Sequence, residues 1–295
     1  MRVLFFGMRC IFSPPVLAAL VAAGHDIAAV ITPGPAGAPA FAWSRRPGFR
    51  SLALSAPSAG LDAIAADLQI PIGQLSNPRD LRAIQSLAAL EPDIIVVACF
   101  PRLLPEMLID IAPAGGFNLH PSRLPELRGP EPIFWALHNG QTTTAVTAHR
   151  LSDRFDAGEI YGQEPFTMPF GARIGDIEAQ MAQMAGGIAI RTLDLIAKNT
   201  LEPMRQCDSE ATYAPFPTMH DFIISSSWSA RRAVAFIRGV ATEAQPVTID
   251  LGSGEAIAAR DAAKWLSERD QCVHNAAADG EIDIAFADGV VRIRR

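Results

Sequence analysis

Residues 3–31 read VLFFGMRCIFSPPVLAALVAAGHDIAAVI, and this stretch decides the fold. The segment 3–6 is a short continuous apolar run, which is typical of a strand buried on both faces of a parallel sheet. Two prolines at 14–15 open a helix that Gly24 closes, and 27–31 is the next apolar run. Strand, helix and strand in this order predict a right-handed βαβ unit in an open α/β sheet.

Outward from this unit, alternating strands and helices continue to about residue 198. Residues 32–60 interrupt them, because they are rich in Pro, Gly, Ala and Ser; we interpret them as a long surface excursion of undetermined role that contains Arg45, Arg46 and Arg50. The expected fold class is α/β, with a Rossmann-like, mostly parallel sheet and helices on both of its faces. Hydrophobic periodicity predicts further strands at 94–98, 116–120, 146–151 and 160–166, and helices at 61–68, 80–90, 131–138 and 174–198.

Beyond the last of these helices the pattern changes. Short alternating runs appear at 247–250 and 282–286, Gly-containing turns separate them, and a helix is predicted at 230–238. Such a pattern favours a small β-rich, OB-like domain over a continuation of the doubly wound sheet. We therefore expect a larger domain over 1–205 and a small β-rich domain over 206–295.

Composition limits the possible classes of protein. The 295 residues are 49% apolar and 19% charged, which is enough to bury the cores of one large and one small domain. The net charge of −6 argues against a chain that coats nucleic acid non-specifically. The four cysteines form no CxxC pair, so they favour neither a zinc site nor a disulfide framework and fit a reducing cytosol. No apolar stretch reaches membrane-spanning length, and we expect a cytoplasmic protein without a membrane partner.

The stretch that carries chemistry is 117–130, which reads FNLHPSRLPELRGP. Alternate residues of a strand point to the same face, so Asn118 and His120 project together from the carboxyl end of one strand. Ligands of open α/β sheets bind at that end. A carboxamide offers donors to a developing oxyanion, and an imidazole holds or passes a proton near neutral pH. The alternative is that the two side chains are a hydrogen-bonded structural pair.

A second segment, 147–160, reads TAHRLSDRFDAGEI and supplies a carboxylate. A strand ends near Leu151, and Asp156 follows on a polar loop before Ala157 and Gly158 permit a tight turn. A carboxylate delivered there would orient His120 and favour its protonated form. The alternative is that Asp-Ala-Gly only forms the turn.

Together the two segments carry a family resemblance. The string Asn-Leu-His-Pro-Ser-x-Leu-Pro-x-x-Arg-Gly-Pro-x-Pro-Ile-x-Trp-Ala at 118–136 resembles the signature of the 10-formyltetrahydrofolate-dependent formyltransferases. The later Thr-x-His and Asp-Ala-Gly-x-Ile strings lie at the distance that family shows. The segments 211–215 and 228–239 are similar to the entry to the C-terminal domain of methionyl-tRNA formyltransferases. The resemblance covers nearly the whole chain and makes 1–205 the catalytic domain.

The resemblance implies roles for particular residues. Asn118 and a protonated His120 would stabilise the tetrahedral oxyanion, and Asp156 would orient His120 and help relay the amine's proton to the departing N10 of the folate. No metal is required, because the amine is already a good nucleophile. The residues implied to bind the folate donor are Phe100, Pro101, Arg102, Leu103, Leu104 and Phe155, and those implied to bind the acceptor are Arg9, Ser122 and Arg128.

The acceptor is the least determined partner. The loop after the first strand has one glycine, at Gly7, which argues against glycinamide ribonucleotide because its phosphate suits a glycine-rich loop. No basic, glycine-rich loop follows Ile31, and residues 207–295 hold 9 Lys and Arg against 13 Asp and Glu, a net charge of −4. A tRNA surface needs clustered positive charge, so a small-molecule amine, such as an amino-sugar nucleotide, is slightly favoured.

Three alternatives stay open beside that reading. The first is formylation of methionyl-tRNA. The second is a hydrolase that releases formate from 10-formyltetrahydrofolate with water as nucleophile. The third is a folate-binding protein without turnover. The oligomeric state stays undetermined.

Overall fold

The computed structural model describes residues 1–45, 60–266 and 280–295. Its β-strands are β1 Arg2–Gly7, β2 Asp26–Pro33, β3 Phe41–Arg45, β4 Ile72–Leu75, β5 Ile94–Ala98, β6 Gly116–His120, β7 Thr143–Arg150, β8 Ile160–Thr167, β9 Ile223–Ser225, β10 Val247–Asp250, β11 Ala256–Ala259, β12 Asp261–Leu266, β13 Glu281–Phe286 and β14 Gly289–Arg294. Its α-helices are α1 Ser13–Ala22, α2 Leu61–Asp67, α3 Leu81–Ala88, α4 Glu106–Ile109, α5 Pro132–His138, α6 Ile174–Ala197 and α7 Ala230–Val240.

The main sheet has eight strands in the order β3-β4-β2-β1-β5-β6-β7-β8. The pairs of β1 with β2, β1 with β5, β2 with β4 and β5 with β6 are parallel. Strands β3 and β7 run antiparallel to β4 and β6. The predicted class, a Rossmann-like and mostly parallel sheet with helices, is therefore confirmed.

The central strands β1, β2, β5 and β6 are mostly buried, and β5 is buried along its whole length, as their continuous apolar runs predict. One face of the sheet includes Leu4 and Phe6 of β1, which share a core with Ala83 and Leu87 of α3. Asp80 caps that helix, since its carboxylate accepts from the Ala83 amide at 2.9 Å, a contact worth about 1 kcal/mol. The parallel order places the carboxyl ends of β1, β5 and β6 side by side at one edge of the sheet.

The structure corrects the interpretation of residues 32–60 as one long surface excursion. Residues 41–45 form the edge strand β3, and it pairs with β4, which the sequence pattern also missed. Phe41 and Trp43 on β3 contact each other edge to face, with centroids 4.9 Å apart. The rest of the excursion, with Arg46 and Arg50, lies outside the described residues.

The described chain divides into two compact units. The first comprises Met1–Gly129, Ala145–Phe166 and Glu178–Tyr213, and the second comprises Pro130–Thr144, Thr167–Ile177 and Ala214–Arg295. The second contains two three-stranded sheets, β11-β10-β9 and β12-β14-β13, and so carries the expected β-rich C-terminal part. As limits of separate domains, 1–205 and 206–295 stay a prediction. Across the described ranges, no helix is both long and apolar enough to cross a membrane.

Candidate active site

Strands β6 and β7 bring four polar side chains of the first unit together. In their antiparallel register Asn118 lies opposite His149, and His120 lies opposite Thr147. Asp156 lies on the loop between β7 and β8. The three residues expected from the sequence, Asn118, His120 and Asp156, therefore meet at the carboxyl end of β6.

The position of Asp156 depends on its backbone. Its φ of 53° is in the left-handed region, which aspartate tolerates better than most residues. Oδ2 of Asp156 accepts from the Gly129 amide at 2.9 Å. Gly158 follows two residues later, and no larger residue fits there, because a Cβ would overlap the carbonyl oxygen of Arg150. The turn is therefore built to deliver one carboxylate to His120.

The ring of His120 has a determined tautomer. Its Nε2 lies 2.9 Å from the carbonyl oxygen of Leu127, which can only accept, so Nε2 carries a proton and donates it. Nδ1 faces Oδ1 of Asp156 at 3.7 Å, beyond hydrogen-bond distance. Burial lowers the pKa of His120 despite the opposing effects of Asp156 and Leu127. The resting ring is therefore neutral with a lone pair on Nδ1, whereas the resemblance implied a protonated ring.

Asp156 is ionised between two imidazoles. Burial acts to raise its pKa, but the nearby His120 and His149 and the amide of Gly129 together outweigh that effect and lower it. The carboxylate is thus charged over the whole physiological range. A fixed negative charge beside Nδ1 of His120 stabilises any proton that this nitrogen accepts.

His149 is the residue that the sequence reasoning did not assign. Its Nδ1 donates to the carbonyl oxygen of Arg150 at 3.0 Å, and its Nε2 lies 3.1 Å from Nδ2 of Asn118. Its Nε2 also lies 3.4 Å from Oδ1 of Asp156. The signal that could have found it is register, because an antiparallel partner of β6 must place one residue directly opposite Asn118.

Behind Asp156 lies a strut formed by Arg128 and Gln206. Nε and Nη2 of Arg128 donate to Oε1 of Gln206 at 3.0 and 2.8 Å, and Nη2 also pairs with Asp208 at 2.8 Å. The amide nitrogen of Gln206 donates to the carbonyl oxygens of Asp156 and Gly158 at 2.9 and 2.7 Å. Arg128 is buried, so the structure places it in the support of the Asp156 turn and leaves its expected contact with the acceptor a prediction.

The other two residues expected to bind the acceptor lie apart from this cluster. Ser122 is fully buried and donates to the carbonyl oxygen of Glu126 at 2.7 Å. The exposed Arg9 pairs with Asp62 through two nitrogens of its guanidinium. Neither side chain is brought to Asn118, and neither enters the function proposed below.

The residues expected to bind folate follow β5 at the same sheet edge, apart from Phe155. Phe100 is half-buried and packs edge to face on Phe6 at 5.2 Å, and Leu104 is part of the core. Nη2 of Arg102 donates to the carbonyl oxygen of Gly34 at 2.8 Å, while its buried Nε has no hydrogen-bond partner within the described part of the chain. Pro101 is exposed and Leu103 is half-buried. Phe155, next to Asp156, is 53% exposed and available for stacking.

These parts define a class of site. An α/β sheet edge carries a neutral histidine with one open nitrogen, an ionised carboxylate beside it and a carboxamide donor. That combination suits transfer of an acyl-type group, in which a proton leaves the nucleophile while charge develops on an oxygen.

Comparisons with known proteins agree with this class. Residues 42–193 match the family model described as formyl transferase. Over 255 residues the chain is 36% identical to the methionyl-tRNA formyltransferase of Moorella thermoacetica, covering 86% of this chain and 77% of that protein. The chain therefore belongs to the formyltransferase family, and the resemblance inferred from the motifs is confirmed.

Solved structures share the fold. An N-formyltransferase from Helicobacter canadensis in complex with folinic acid and dTDP-3-aminofucose matches with a TM-score of 0.68 at 15% identity, over 100% of this chain and 99% of that one. HypX from Aquifex aeolicus matches with a TM-score of 0.60 at 18% identity, over 99% of this chain. The match covers only 43% of the HypX chain, so that protein has a large part without a counterpart in this chain.

Proposed function

We propose that this protein transfers the formyl group of 10-formyltetrahydrofolate to a primary amine. The observation that carries the proposal is the convergence of Asn118 and His120 on one carboxylate oxygen, Oδ1 of Asp156, where Nδ1 is the ring nitrogen of His120 that faces it. That nitrogen is the only one of the ring that is not donating to the backbone. Family membership adds the reaction class, since the chain belongs to the formyltransferases.

The proton that is transferred in this mechanism is initially on the amine of the acceptor. The nitrogen of the acceptor attacks the formyl carbon, and a new C–N bond forms while the carbonyl oxygen takes the charge. Nδ1 of His120 accepts a proton from the attacking nitrogen, and the ionised Asp156 stabilises the resulting imidazolium. The bond between the formyl carbon and N10 then breaks, and the same proton passes to N10. A neutral resting His120 suits this order better than the protonated ring that the resemblance implied.

In this mechanism Asn118 stabilises the oxyanion. Nδ2 has two hydrogens, of which one is directed to His149 at 3.1 Å. The other faces Oδ1 of Asp156 at 3.4 Å, which is a long and weak contact. A developing oxyanion is a better acceptor at closer range, so this second hydrogen is the one that Asn118 donates in the transition state.

The folate donor is assigned to the segment after β5. The buried Nε of Arg102 lacks a partner among the described residues, and a polar group of a bound ligand would satisfy it. Phe155 offers an exposed aromatic face beside Asp156 for the pterin. Phe100, Pro101, Leu103 and Leu104 complete the segment that we propose to line the donor site.

The acceptor that we favour is a small amine such as an amino-sugar nucleotide. In the second unit, Arg260 and Arg294 both pair with Glu243, and Arg292 pairs with Asp283. Cations neutralised by local carboxylates contribute little to phosphate binding, whereas tRNA recognition rests on many such contacts. The competing candidate, formylation of methionyl-tRNA, is favoured by the 36% identity to the Moorella thermoacetica enzyme.

One assay separates these outcomes. Purified protein is incubated with 10-formyltetrahydrofolate, and tetrahydrofolate release is measured without acceptor, with a dTDP-linked amino sugar and with methionyl-tRNA. We expect release that depends on the amino sugar. Release without any acceptor would identify a hydrolase, tRNA-dependent release would move the acceptor to tRNA, and no release in any arm would contradict formyl transfer.

A further inference from the structure

The two histidines of the site have opposite tautomers. His120 donates from Nε2 to the carbonyl oxygen of Leu127, so its lone pair is on Nδ1. His149 donates from Nδ1 to the carbonyl oxygen of Arg150, so in its neutral form the lone pair is on Nε2. Each tautomer follows from a backbone oxygen that can only accept. The two lone pairs therefore face different partners.

The lone pair of His149 faces Asn118. The amide nitrogen Nδ2 of Asn118 lies 3.1 Å from Nε2 of His149, and because Nε2 accepts, Nδ2 must donate. This contact is the shorter of the two that orient the carboxamide, because Nδ2 also faces Oδ1 of Asp156 at 3.4 Å. Without the acceptor on His149, only that long contact would oppose rotation of the amide, which would present Oδ1 where a donor is needed, and an oxygen would repel the oxyanion.

His149 has no nitrogen left for proton transfer. Nδ1 is bonded to the backbone and Nε2 is engaged with Asn118, and the ring is only 3% exposed. Its nearest charged neighbour is Oδ1 of Asp156, at 3.4 Å from Nε2. A histidine in this situation holds other groups in place and does not itself exchange protons with a substrate.

We propose that His149 is a positioning residue of the formyl-transfer site, which fixes the Asn118 carboxamide with its N–H toward the oxyanion. This inference rests on the proposed function, because it assigns Asn118 to the oxyanion. It extends the expected group of Asn118, His120 and Asp156 to four residues, and it places the fourth on β7 opposite Asn118.

A double-mutant cycle tests the coupling. His149→Met keeps a buried side chain of similar size without a nitrogen acceptor, and His149→Gln keeps an acceptor. We expect His149→Met to lower kcat between about tenfold and a hundredfold with KM for the folate nearly unchanged, since misplaced catalytic groups have effects of that size. His149→Gln should recover most of the loss. In an Asn118→Ala background, His149→Met should have little further effect.

Other results would overturn the inference. Equal losses from His149→Met in both backgrounds, or equal impairment by Met and Gln, would mean that His149 supports the fold and does not act through Asn118. Full activity of His149→Met would reject any role. The exposed His220, changed to Gln, is the control that should retain full activity. Thermal unfolding of each variant verifies that it folds.

A second measurement needs no turnover. Nitrogen-15 NMR of the wild-type imidazoles should identify His149 as the Nδ1–H form and His120 as the Nε2–H form. Finding a proton on Nε2 of His149, in the Nε2–H form or in the doubly protonated form, would mean that Nε2 donates to Oδ1 of Asp156, which lies 3.4 Å away, and would overturn the inference even if every variant were unstable. If instead the tautomers are as stated and no formyl transfer occurs, the proposed function fails and the hydrogen-bond assignment stands.

Discussion

Nδ1 of His120 and Oδ1 of Asp156 face each other at 3.7 Å, while Nε2 of the His120 ring donates a hydrogen bond to the carbonyl oxygen of Leu127. The carboxylate is near enough to stabilise a proton on Nδ1 but does not hold one there in the resting site. Burial of the ring favours the neutral form. The pair is therefore poised to gain a proton during the reaction.

The first prediction concerns the pH dependence of turnover. His120 must be neutral to accept the amine's proton, and burial lowers its pKa below the ordinary value of about 6.5. Activity should hold from neutral pH down to about 6.5 and fall as pH drops through the lower folded value. The stability that depends on the neutral ring should fall in the same direction. The measurement is kcat against pH at saturating substrates, and an acid limb centred above pH 7 would contradict it.

A second prediction concerns the strut behind Asp156. Gln206→Leu removes the donors to the carbonyl oxygens of Asp156 and Gly158 and the acceptor for the buried Arg128. The free energy of unfolding should fall by about 1–3 kcal/mol, with a matching loss in kcat as the turn shifts. The control is Arg154→Ala, which removes only an exposed ion pair to Asp208 at 3.2 Å and should change stability by at most about 1 kcal/mol. Equal effects of the two substitutions would count against the strut.

Replacing each of two glycines by alanine should change the stability of the protein in opposite directions. Gly158→Ala should lower kcat strongly and destabilise the protein by about 1–3 kcal/mol, because a Cβ there overlaps the carbonyl oxygen of Arg150. Gly187→Ala, within α6, should raise stability by about 0.5–1 kcal/mol, because its Cβ meets only the guanidinium of Arg191, at ordinary distances of 3.5 Å to Nη1 and 4.0 Å to Nη2. Denaturant unfolding with kcat for each variant is the measurement, and changes of the same sign in stability would contradict the geometry.

A fourth prediction concerns Cys10, which follows β1 at the same sheet edge. A hydrogen bond from Cys99, supported by the backbone amides of Phe12 and Ser13, outweighs the effect of burial and lowers the pKa of the Cys10 thiol to about 5. Cys10 should therefore be a thiolate at pH 6.5 and react with iodoacetamide there. Cys99→Ala should move the midpoint of its pH–rate curve toward about 8.5, and Cys99→Ser should not. Peptide mass spectrometry reads the site, and a wild-type midpoint near 8.5 would refute the prediction.

The sequence predicted the strands that a local pattern of residues determines and missed those that depend on pairing. The strands at 94–98 and 116–120 were predicted with the bounds that the structure has, because both are apolar runs whose flanking residues mark where the strand begins and ends. β3 and β4 were missed. β4 is four residues with a glycine in it and depends on its pairing with β2 and β3, whereas β3 is an edge strand in a Pro- and Gly-rich region and depends on its pairing with β4.

The residues of the site also divide into those that a local sequence pattern predicts and those that it does not. Asn118 and His120 were found because strand periodicity is local, and Asp156 because its turn chemistry is local. His149 and Gln206 contribute through register and through a contact 50 residues away in sequence, from Gln206 to Asp156, which no local pattern encodes. The acid–base state of His120 depended on burial, so the sequence predicted a protonated ring where the structure favours a neutral one.

Formyl transfer through His120 is tested most directly by following a carbon-13-labelled formyl group from 10-formyltetrahydrofolate, with mass spectrometry of the acceptor. Wild-type protein should form a labelled N-formyl product with an amino-sugar nucleotide. His120→Ala and Asp156→Ala should each lower the rate by a factor of about 100 or more while folate affinity stays nearly the same. Label recovered as free formate, or near-wild-type transfer by His120→Ala, would contradict a mechanism in which Nδ1 of His120 takes the amine's proton.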